Sequence, residues 1–292
     1  MNKFAIILAK ILKGSAMKIG IIGLGLIGGS LGLALKKMKL IDKVCGFDAS
    51  SQNAKDALEL GLVDEICSIE EMKTGFDAIF LAVPVEAIVE LMNKLQGCDK
   101  NTTIIDLGST KRTIIKSCPQ SLKAQFVGAH PMAGTEFSGP FAAKDGLLNG
   151  AIVVLCDDVQ VEKEHIKKAT ELLSHAGMRI IFMDSVSHDH HVGFISHLPH
   201  AISFSLVNAT LSEEERRNIF LLGGTSFAGM ARIAKSSEIM WTDIFKQNKD
   251  NILNAMAAFK AEFAKCEQML ENERWDELRE WMKNARKIKD IL

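Results

Sequence analysis

Short apolar runs alternate with helix-spaced segments through the first half of the chain. Runs that are apolar nearly throughout, as buried parallel strands are, occur at Lys18–Gly23, Val44–Asp48, Ala78–Val83, Thr103–Leu107, Phe126–Ala129, Ala151–Cys156 and Met178–Met183. Segments with apolar residues three or four positions apart, typical of helices that bury one face, lie at Gly28–Lys37, Asn53–Leu60, Val85–Leu95 and Val161–Ala176. This alternation predicts βαβ units and a parallel sheet covered on both faces.

The pattern changes near Asp184, after which we identify only helices. They are predicted at Asp189–Asn208, Ser212–Leu222, Phe227–Lys235, Ser237–Asn248 and from Asn251 to the end. We therefore predict an α/β domain over residues 17–183 and an all-α domain over residues 184–292. Residues 1–16 precede the first predicted strand and are interpreted as an N-terminal extension that the fold does not need.

The first predicted strand runs into a glycine-rich loop, Gly23-Leu-Gly25-Leu26-Ile27-Gly28, that opens the first helix. A GxGxxG between a strand and a helix is the fingerprint of a Rossmann-type dinucleotide-binding domain. The glycines permit a tight turn, close approach of the backbone to a pyrophosphate, and packing of the helix on the strand. The helix N-terminus then favours the anion.

Asp48 ends the second predicted strand, 20 residues after Gly28. A carboxylate at this position accepts hydrogen bonds from the adenine ribose and repels a 2′-phosphate. Ala49–Asn53 contains no Lys or Arg that could attract such a phosphate. The predicted cofactor is therefore NAD rather than NADP. We also assign Val83 and Pro84, which follow the third strand, to the cofactor site.

The composition narrows the function classes. The formal net charge is -1, from 35 basic and 36 acidic residues, so no overall field attracts the chain to nucleic acid or to an anionic membrane. The chain contains no tyrosine, which excludes a tyrosine acid or base. Its cysteines are scattered without a CxxC pair, as in reduced cytoplasmic proteins, at Cys45, Cys67, Cys98, Cys118, Cys156 and Cys266.

Polar residues gather just beyond predicted strands, where open α/β sheets bind ligands. Asp106–Lys111 (DLGSTK) follows one strand, and Gly128–Glu136 (GAHPMAGTE) follows the next. Two further polar segments, Ser196–His200 (SHLPH) and Arg232–Trp241 (RIAKSSEIMW), lie on predicted helices. If the two halves pack closely, these four segments can surround one substrate.

In this order, GLGLIGGS, DLGSTK, GAHPMAGTEFSG, SHLPHA and ARIAKS resemble the prephenate and arogenate dehydrogenases. The resemblance extends from Met17 to about Phe245, and its histidine-containing segments are far more specific than the glycine loop. It implies NAD-dependent oxidative decarboxylation of prephenate to 4-hydroxyphenylpyruvate in tyrosine biosynthesis. An arogenate or dual cyclohexadienyl dehydrogenase stays open, because the two substrates differ only at a keto or amino group.

The resemblance also implies residue roles. His130 corresponds to the histidine that contacts the ring hydroxyl, and neutral imidazole is a suitable base near neutral pH. Ser109 corresponds to the serine that bonds near this hydroxyl and orients the histidine. Arg232 corresponds to an arginine that binds a substrate carboxylate. The residues expected around the rest of the substrate are Ser196, His200 and Thr135.

Three other interpretations fit parts of the sequence. A β-hydroxyacid dehydrogenase requires a catalytic lysine segment, GxxxK, that we do not find. A non-catalytic NAD-binding dimer is disfavoured by the joint presence of His130, Ser109 and Arg232. A metal site is suggested by the crowding of His188, His190, His191, His197 and His200, but no HExxH or matching cysteine and carboxylate set accompanies them, so we predict no metal.

The last predicted helices, with Trp275 and Trp281, have few partners within the chain. A long helix in this situation usually packs on another subunit, so we expect a homodimer. The chain ends about forty-five residues after the last matched segment, and we expect no appended regulatory domain.

Overall fold

A computed structural model of the chain describes residues 16–156, 160–213 and 215–291. One sheet of eight strands, in the order β3-β2-β1-β4-β5-β6-β7-β8, crosses the first half. The strands are β1 (Met17–Ile22), β2 (Ile41–Phe47), β3 (Glu65–Ile66), β4 (Ala78–Leu81), β5 (Thr103–Asp106), β6 (Phe126–Pro131), β7 (Ile152–Cys156) and β8 (Arg179–Phe182). The chain order reverses beside β1, and this is the point at which doubly wound sheets bind their ligands.

Helices cover both faces of the sheet, as the sequence predicts. They are α1 (Leu26–Lys36), α2 (Ser51–Glu59), α3 (Ile69–Met72), α4 (Val85–Lys94), α5 (Arg112–Ser117) and α6 (Lys163–His175). Successive strand residues point to opposite faces, so Phe80 joins the core beneath α1 and α6, whereas Ile79 and Leu81 join the core beneath α4. The short β3, α3 and α5 lie in segments where we predicted no element.

The predicted parallel sheet contains one antiparallel pair. Strands β6 and β7 are antiparallel, with His130 opposite Val154 and Pro131 opposite Val153. The other strand pairs of the sheet are parallel. A parallel return needs a long crossover, usually a helix, but the connection from β6 to β7 carries just a single 3-10 turn at Pro140–Ala142.

After Phe182 the described part of the chain is helical. Its elements are α7 (Ser185–Val192), a π turn (Gly193–His197), α8 (Leu198–Leu211), α9 (Arg216–Leu221), α10 (Thr225–Ala231), a 3-10 turn (Arg232–Lys235), α11 (Glu238–Gln247), α12 (Lys249–Glu271), α13 (Trp275–Ala285) and a 3-10 turn (Arg286–Asp290). No helix in these residues is long and apolar enough to cross a membrane. The fold is thus a Rossmann-type domain followed by a helical one, as predicted.

Two helix predictions need correction. The helix predicted at Asp189–Asn208 begins earlier, at Ser185, because Asp184 caps it by accepting hydrogen bonds from the N–H groups of Val186 and Ser187. The continuous helix predicted from Asn251 is broken before Trp275, where Glu273 adopts a left-handed φ of 52°. The predicted extension at residues 1–16 lies, apart from Ala16, outside the described residues.

Candidate active site

The glycine loop forms a cradle at the end of β1. Gly23 has a φ of 96°, and a Cβ there would lie 2.4 Å from the carbonyl oxygen of Ala82. A Cβ on Gly28 would lie 1.9 Å from the carbonyl oxygen of Gly23, so helix and loop touch directly. Gly25 instead faces open space, with Gly139 N the nearest atom at 3.9 Å. Gly25 is also the N-cap of α1 and carries no side chain that could cap it, so the first N–H groups of the helix are free to bind a phosphate.

Asp48 connects this cradle to β2. Its Oδ2 accepts from the N–H of Leu24 at 2.9 Å, and its Oδ1 accepts from the N–H of Ser50 at 2.9 Å. These bonds hold the carboxylate beside the glycine loop, and its remaining lone pairs can accept from ribose hydroxyls. The cradle and the carboxylate therefore fit a dinucleotide without a 2′-phosphate.

The other residues predicted to bind the cofactor surround the same turn. Leu26 and Ile27 are half-buried in the first turn of α1, and Ile27 packs against the core. Val83 follows β4 and has its Cγ1 2.7 Å from the position that a Cβ on Gly23 would take. Pro84 is the N-cap of α4. A loop, two strand ends and two helix N-termini thus meet here.

His130 lies near the end of β6 and begins a chain of buried polar side chains. It is 8% exposed, and its Nδ1 lies 2.8 Å from Nε2 of His188 on α7. His188 Nδ1 in turn lies 2.8 Å from Oδ1 of Asp189. Burial, together with the nearby His188 and Lys111, lowers the pKa of His130 well below its usual range. The imidazole is therefore neutral near neutral pH and able to accept a proton.

Asp189 joins α7 to the loop that precedes α5. Its Oδ1 accepts from the N–H of Lys111 at 2.8 Å, and its Oδ2 accepts from the N–H of Arg112 at 3.0 Å. Asp189 thus occupies the N-terminus of α5, where backbone N–H groups stabilise an anion. This contact ties the helical half to the sheet next to His130.

A buried ion pair lies on the other side of His130. The Lys111 ammonium donates to Asp106 Oδ1 and, at 2.8 Å, to the carbonyl oxygen of Ala129. Both charged side chains are fully buried. Burial raises the pKa of Asp106, and the Lys111 ammonium opposes this rise. Since Ala129 precedes His130 in β6, the lysine fixes the strand that carries the histidine.

Ser109 lies in the same loop as this ion pair, between Asp106 and Lys111, and is half-buried. Residues Asp106 and Gly128 are register partners in adjacent strands, so Ser109 and His130 follow neighbouring strands at the same edge of the sheet. The structure thereby brings the two predicted catalytic residues to one end of the sheet.

The π turn and α8 contribute two more histidines. The side-chain amide of Asn248 donates to the backbone oxygen of Asp189 at 2.7 Å and lies 3.0 Å from Nδ1 of His197. Burial lowers the pKa of His197 to about 4, so this ring is neutral. His200 donates from Nδ1 to the backbone oxygen of Ser196 at 2.9 Å and stacks on Trp241, with ring centroids 3.5 Å apart. Each ring is therefore held in one orientation.

Arg232 is more loosely held than these histidines. Its side chain is 55% exposed, and its Nη1 lies 3.2 Å from Oε2 of Glu136. Glu136 belongs to the loop after β6, so the pair bridges the two halves of the chain. Thr135, next to it, is exposed and accepts a hydrogen bond from the N–H of Phe137 at 3.3 Å. The structure places Arg232 and Thr135 at an open rim and leaves the arginine available to a ligand.

Most of the residues that support His130 are not recognisable from the sequence. The sequence places His188 in a possible metal cluster, Asp106 and Lys111 only within a polar segment near the substrate, and Asp189 only as a partner of some neighbouring basic group. Within the described residues the histidines do not form a three-ligand group; the group that does so consists of Cys45, Glu65 and Cys67. There Glu65 is already paired with Lys43 at 2.8 Å. The absence of a metal therefore stays a prediction.

A phosphate cradle, a carboxylate that suits a ribose and a buried neutral histidine at the same end of the sheet define an NAD-dependent dehydrogenase. The family models for "Prephenate dehydrogenase, nucleotide-binding domain" and "Prephenate dehydrogenase, dimerization domain" match residues 31–182 and 184–284. The chain belongs to the prephenate dehydrogenase family.

Individual relatives agree with this assignment. A prephenate dehydrogenase of Bacillus subtilis is 35% identical over 282 residues, which cover 92% of this chain and 74% of the relative. A cyclohexadienyl dehydrogenase of Zymomonas mobilis is 31% identical over 94% of this chain and 95% of its own length. The crystal structure of the Aquifex aeolicus prephenate dehydrogenase, in complex with hydroxyphenyl propionate and NAD+, has a TM-score of 0.87 at 32% identity and covers 94% of this chain and 97% of that one.

Proposed function

We propose that the chain catalyses the NAD-dependent oxidative decarboxylation of prephenate to 4-hydroxyphenylpyruvate, a step of tyrosine biosynthesis. The observation that carries this proposal is His130, a neutral buried histidine fixed by a hydrogen bond at the same end of the sheet as a dinucleotide cradle, in a chain of this family. NAD, when bound, accepts hydride from the ring carbon that bears the hydroxyl. His130 accepts the hydroxyl proton as this hydride departs.

The remaining site residues bind and orient the substrate in this proposal. Ser109 hydrogen-bonds near the hydroxyl and orients His130. Arg232 binds a substrate carboxylate, which replaces Glu136 as its partner, because a guanidinium binds a carboxylate through two parallel hydrogen bonds. His200 and Ser196 contact the other end of the substrate, and Thr135 shapes the rim.

The test is the formation of NADH, followed by absorbance, when prephenate and NAD are added to the protein. Arogenate is assayed beside prephenate, because the cyclohexadienyl dehydrogenase among the relatives makes the amino substrate the specific alternative. A higher kcat/KM for prephenate supports the proposal. A higher kcat/KM for arogenate would assign the alternative, and activity with neither substrate would reject both.

We also propose that residues 17–183 form the cofactor domain and that residues 184–292 bind substrate and form a homodimer. Large apolar side chains are exposed along α12 and α13, among them Phe263 (62% exposed) and Trp275 (54%). A single chain leaves this surface in water, and a second copy would cover it. The name of the matched dimerization domain supports the same conclusion.

Light scattering tests the homodimer at micromolar concentration. Phe263→Asp is expected to give monomers, because the new carboxylate would be buried in the interface. Lys265→Gln, which also changes the charge by one negative unit but lies about 200° around the same helix from Phe263, should remain dimeric. A wild-type monomer would contradict the proposal. We further propose a cytoplasmic location, which the six free cysteines support.

A further inference from the structure

His130, His188 and Asp189 form a hydrogen-bonded chain inside the protein. Two contacts of 2.8 Å join the three side chains, and each side chain is buried. Each contact holds one proton, which belongs to one of its two partners. Asp189 is the last group in this hydrogen-bonded series, and its chemistry therefore determines which nitrogen of each ring carries a proton.

The carboxylate of Asp189 sets this order. Backbone N–H groups of Lys111 and Arg112 donate to its Oδ1 and Oδ2, so both oxygens act as acceptors. His188 must then carry its proton on Nδ1 and present the lone pair of Nε2 to His130. His130 in turn carries its proton on Nδ1, which leaves the lone pair of its Nε2 for the substrate.

The proton balance of the proposed reaction places a second condition on the base. This condition rests on the proposed function. Hydride leaves the ring carbon for NAD, and the hydroxyl loses its proton as the carbonyl forms. The bond to the ring carboxylate then breaks, CO2 leaves, and the electron pair of that bond makes the ring aromatic. The phenolate oxygen that results takes up one proton. The reaction therefore releases no net proton, and a base that keeps the proton can return it to the product oxygen.

We propose that His188, oriented by Asp189, shares the proton that His130 removes, and that this chain stores the proton until the product oxygen recovers it. As Nε2 of His130 is protonated, its Nδ1 proton moves toward Nε2 of His188. The positive charge then spreads over two rings next to the Asp189 carboxylate. His188 and Asp189 act through His130 and are positioning residues.

The other charged and titratable groups near His130 make such sharing necessary. Lys111, from the loop after β5, and His197, from the π turn, disfavour a positive charge on His130, as burial does. The carboxylate of Asp106 is already paired with Lys111. Asp189 is thus the carboxylate that offsets an imidazolium in the series His130–His188–Asp189, and it does so through His188.

Turnover rates of the full-length enzyme in mixtures of H2O and D2O test the proposal. If two protons move in one step, the wild-type rate falls along a curve as the deuterium fraction rises. His188→Gln keeps an acceptor for the Nδ1 proton of His130 but cannot take that proton. We expect kcat of this variant to fall about a hundredfold and its KM for NAD to stay unchanged. Its plot of rate against deuterium fraction should become a straight line.

Asp184→Ala is the matched control, because the Asp184 side chain caps the same helix through Val186 and Ser187 and makes no hydrogen bond to a histidine side chain. It should lower Tm and leave kcat and the curvature unchanged. A straight plot of rate against deuterium fraction for the wild type would overturn the proposal, and this measurement needs no variant. So would a His188→Gln enzyme that keeps kcat within about twofold, or an Asp184→Ala enzyme that loses the curvature. An inactive wild type would instead reject the proposed function, and this inference with it.

Discussion

The two halves of the molecule bury their apolar side chains to very different extents. The α/β half packs them into two continuous cores, one on each face of its sheet. Buried apolar residues are much sparser in the helical half, namely Val192, Leu198, Ala201, Trp241, Ile244, Ile252, Ala255 and Met269. The first half therefore buries its apolar side chains within one chain, whereas the second half leaves an apolar surface exposed, which the proposed homodimer would cover.

The same contrast extends to the candidate site. His130, on the sheet, is fixed through His188, and a buried lysine holds its strand. Arg232, on the helices, is mostly exposed and has one partner at 3.2 Å. A base held in place favours turnover, because it costs no reorganisation in the transition state, whereas an exposed carboxylate-binding arginine contributes mainly to substrate affinity. Substitutions in the two regions should therefore change different kinetic constants.

The largest effect is expected for His130→Asn. Asparagine can hydrogen-bond but cannot take the proton, so kcat should fall on the order of a hundred- to ten-thousand-fold. NAD affinity should stay near that of wild type, because the glycine cradle and Asp48 are untouched. Steady-state kinetics and cofactor titration measure both values. A variant that keeps most of its kcat would show that the base is another residue, with His197 or His200 the next to test.

The pH profile of the wild type sharpens this result. The base must be neutral, so the rate is lost as pH falls through the pKa of His130. The sequence alone predicts an acid limb near the ordinary histidine pKa of about 6.5. The structure corrects this expectation, because burial lowers the pKa of His130 and thereby shifts the limb to lower pH. The limb should disappear from the residual activity of His130→Asn.

Arg232→Ala should have a smaller and different effect. Loss of a charge-assisted contact that is present in the ground state as well as in the transition state should raise the KM for prephenate about tenfold to a hundredfold, with little change in kcat. Arg179→Ala, an exposed arginine on β8, is the control and should leave both constants unchanged. A collapse of kcat at saturating prephenate would mean that the contact strengthens during decarboxylation.

Asp48→Ala tests the cofactor end of the rigid half. The wild type should prefer NAD to NADP, since the carboxylate accepts from the ribose and repels a 2′-phosphate. The variant should lose about tenfold in kcat/KM for NAD and so narrow the gap between the cofactors. Equal use of both cofactors by the wild type would contradict the assignment of Asp48.

The smallest effect is expected for deletion of Met1–Ala16. Strand β1 begins at Met17, and the sheet and its two cores are formed by residues that follow. Activity and Tm should stay unchanged in the deletion variant. Loss of soluble protein would show that the segment packs onto the α/β half, which would then not be complete from Met17 onward.

Periodicity predicted the long elements, because a strand buried on both faces and a helix with one apolar face leave clear patterns. It missed α5, whose six residues are too few for a pattern, although this helix presents the N–H group of Arg112 to Asp189. It also gave no sign that β7 is antiparallel, because a buried strand has the same composition in either direction.

The candidate site also contains residues that the sequence predicts and residues that only the fold identifies. Motifs located His130, Ser109 and Arg232, since each stands in a recognisable segment. The partners of His130 required the fold, because His188 is 58 residues away and reaches His130 across the boundary between the halves. Its position among five clustered histidines suggests a metal, whereas its contacts with His130 and Asp189 support the positioning role that we propose.

The π turn at Gly193–His197 has a consequence for insertions and deletions. It holds one residue per turn more than an α-helix would, and a Cβ on Gly193 would lie 3.3 Å from Cβ of Asn251, so the turn is pressed against α12. Removing one residue would let this turn close as an ordinary α-turn, so α8 should keep its orientation and His200 its stacking on Trp241. Removing one residue from the regular part of α7 or α8 would instead rotate the residues beyond it by about 100°. A deletion within Gly193–His197 should therefore be tolerated better than a deletion in either neighbouring helix.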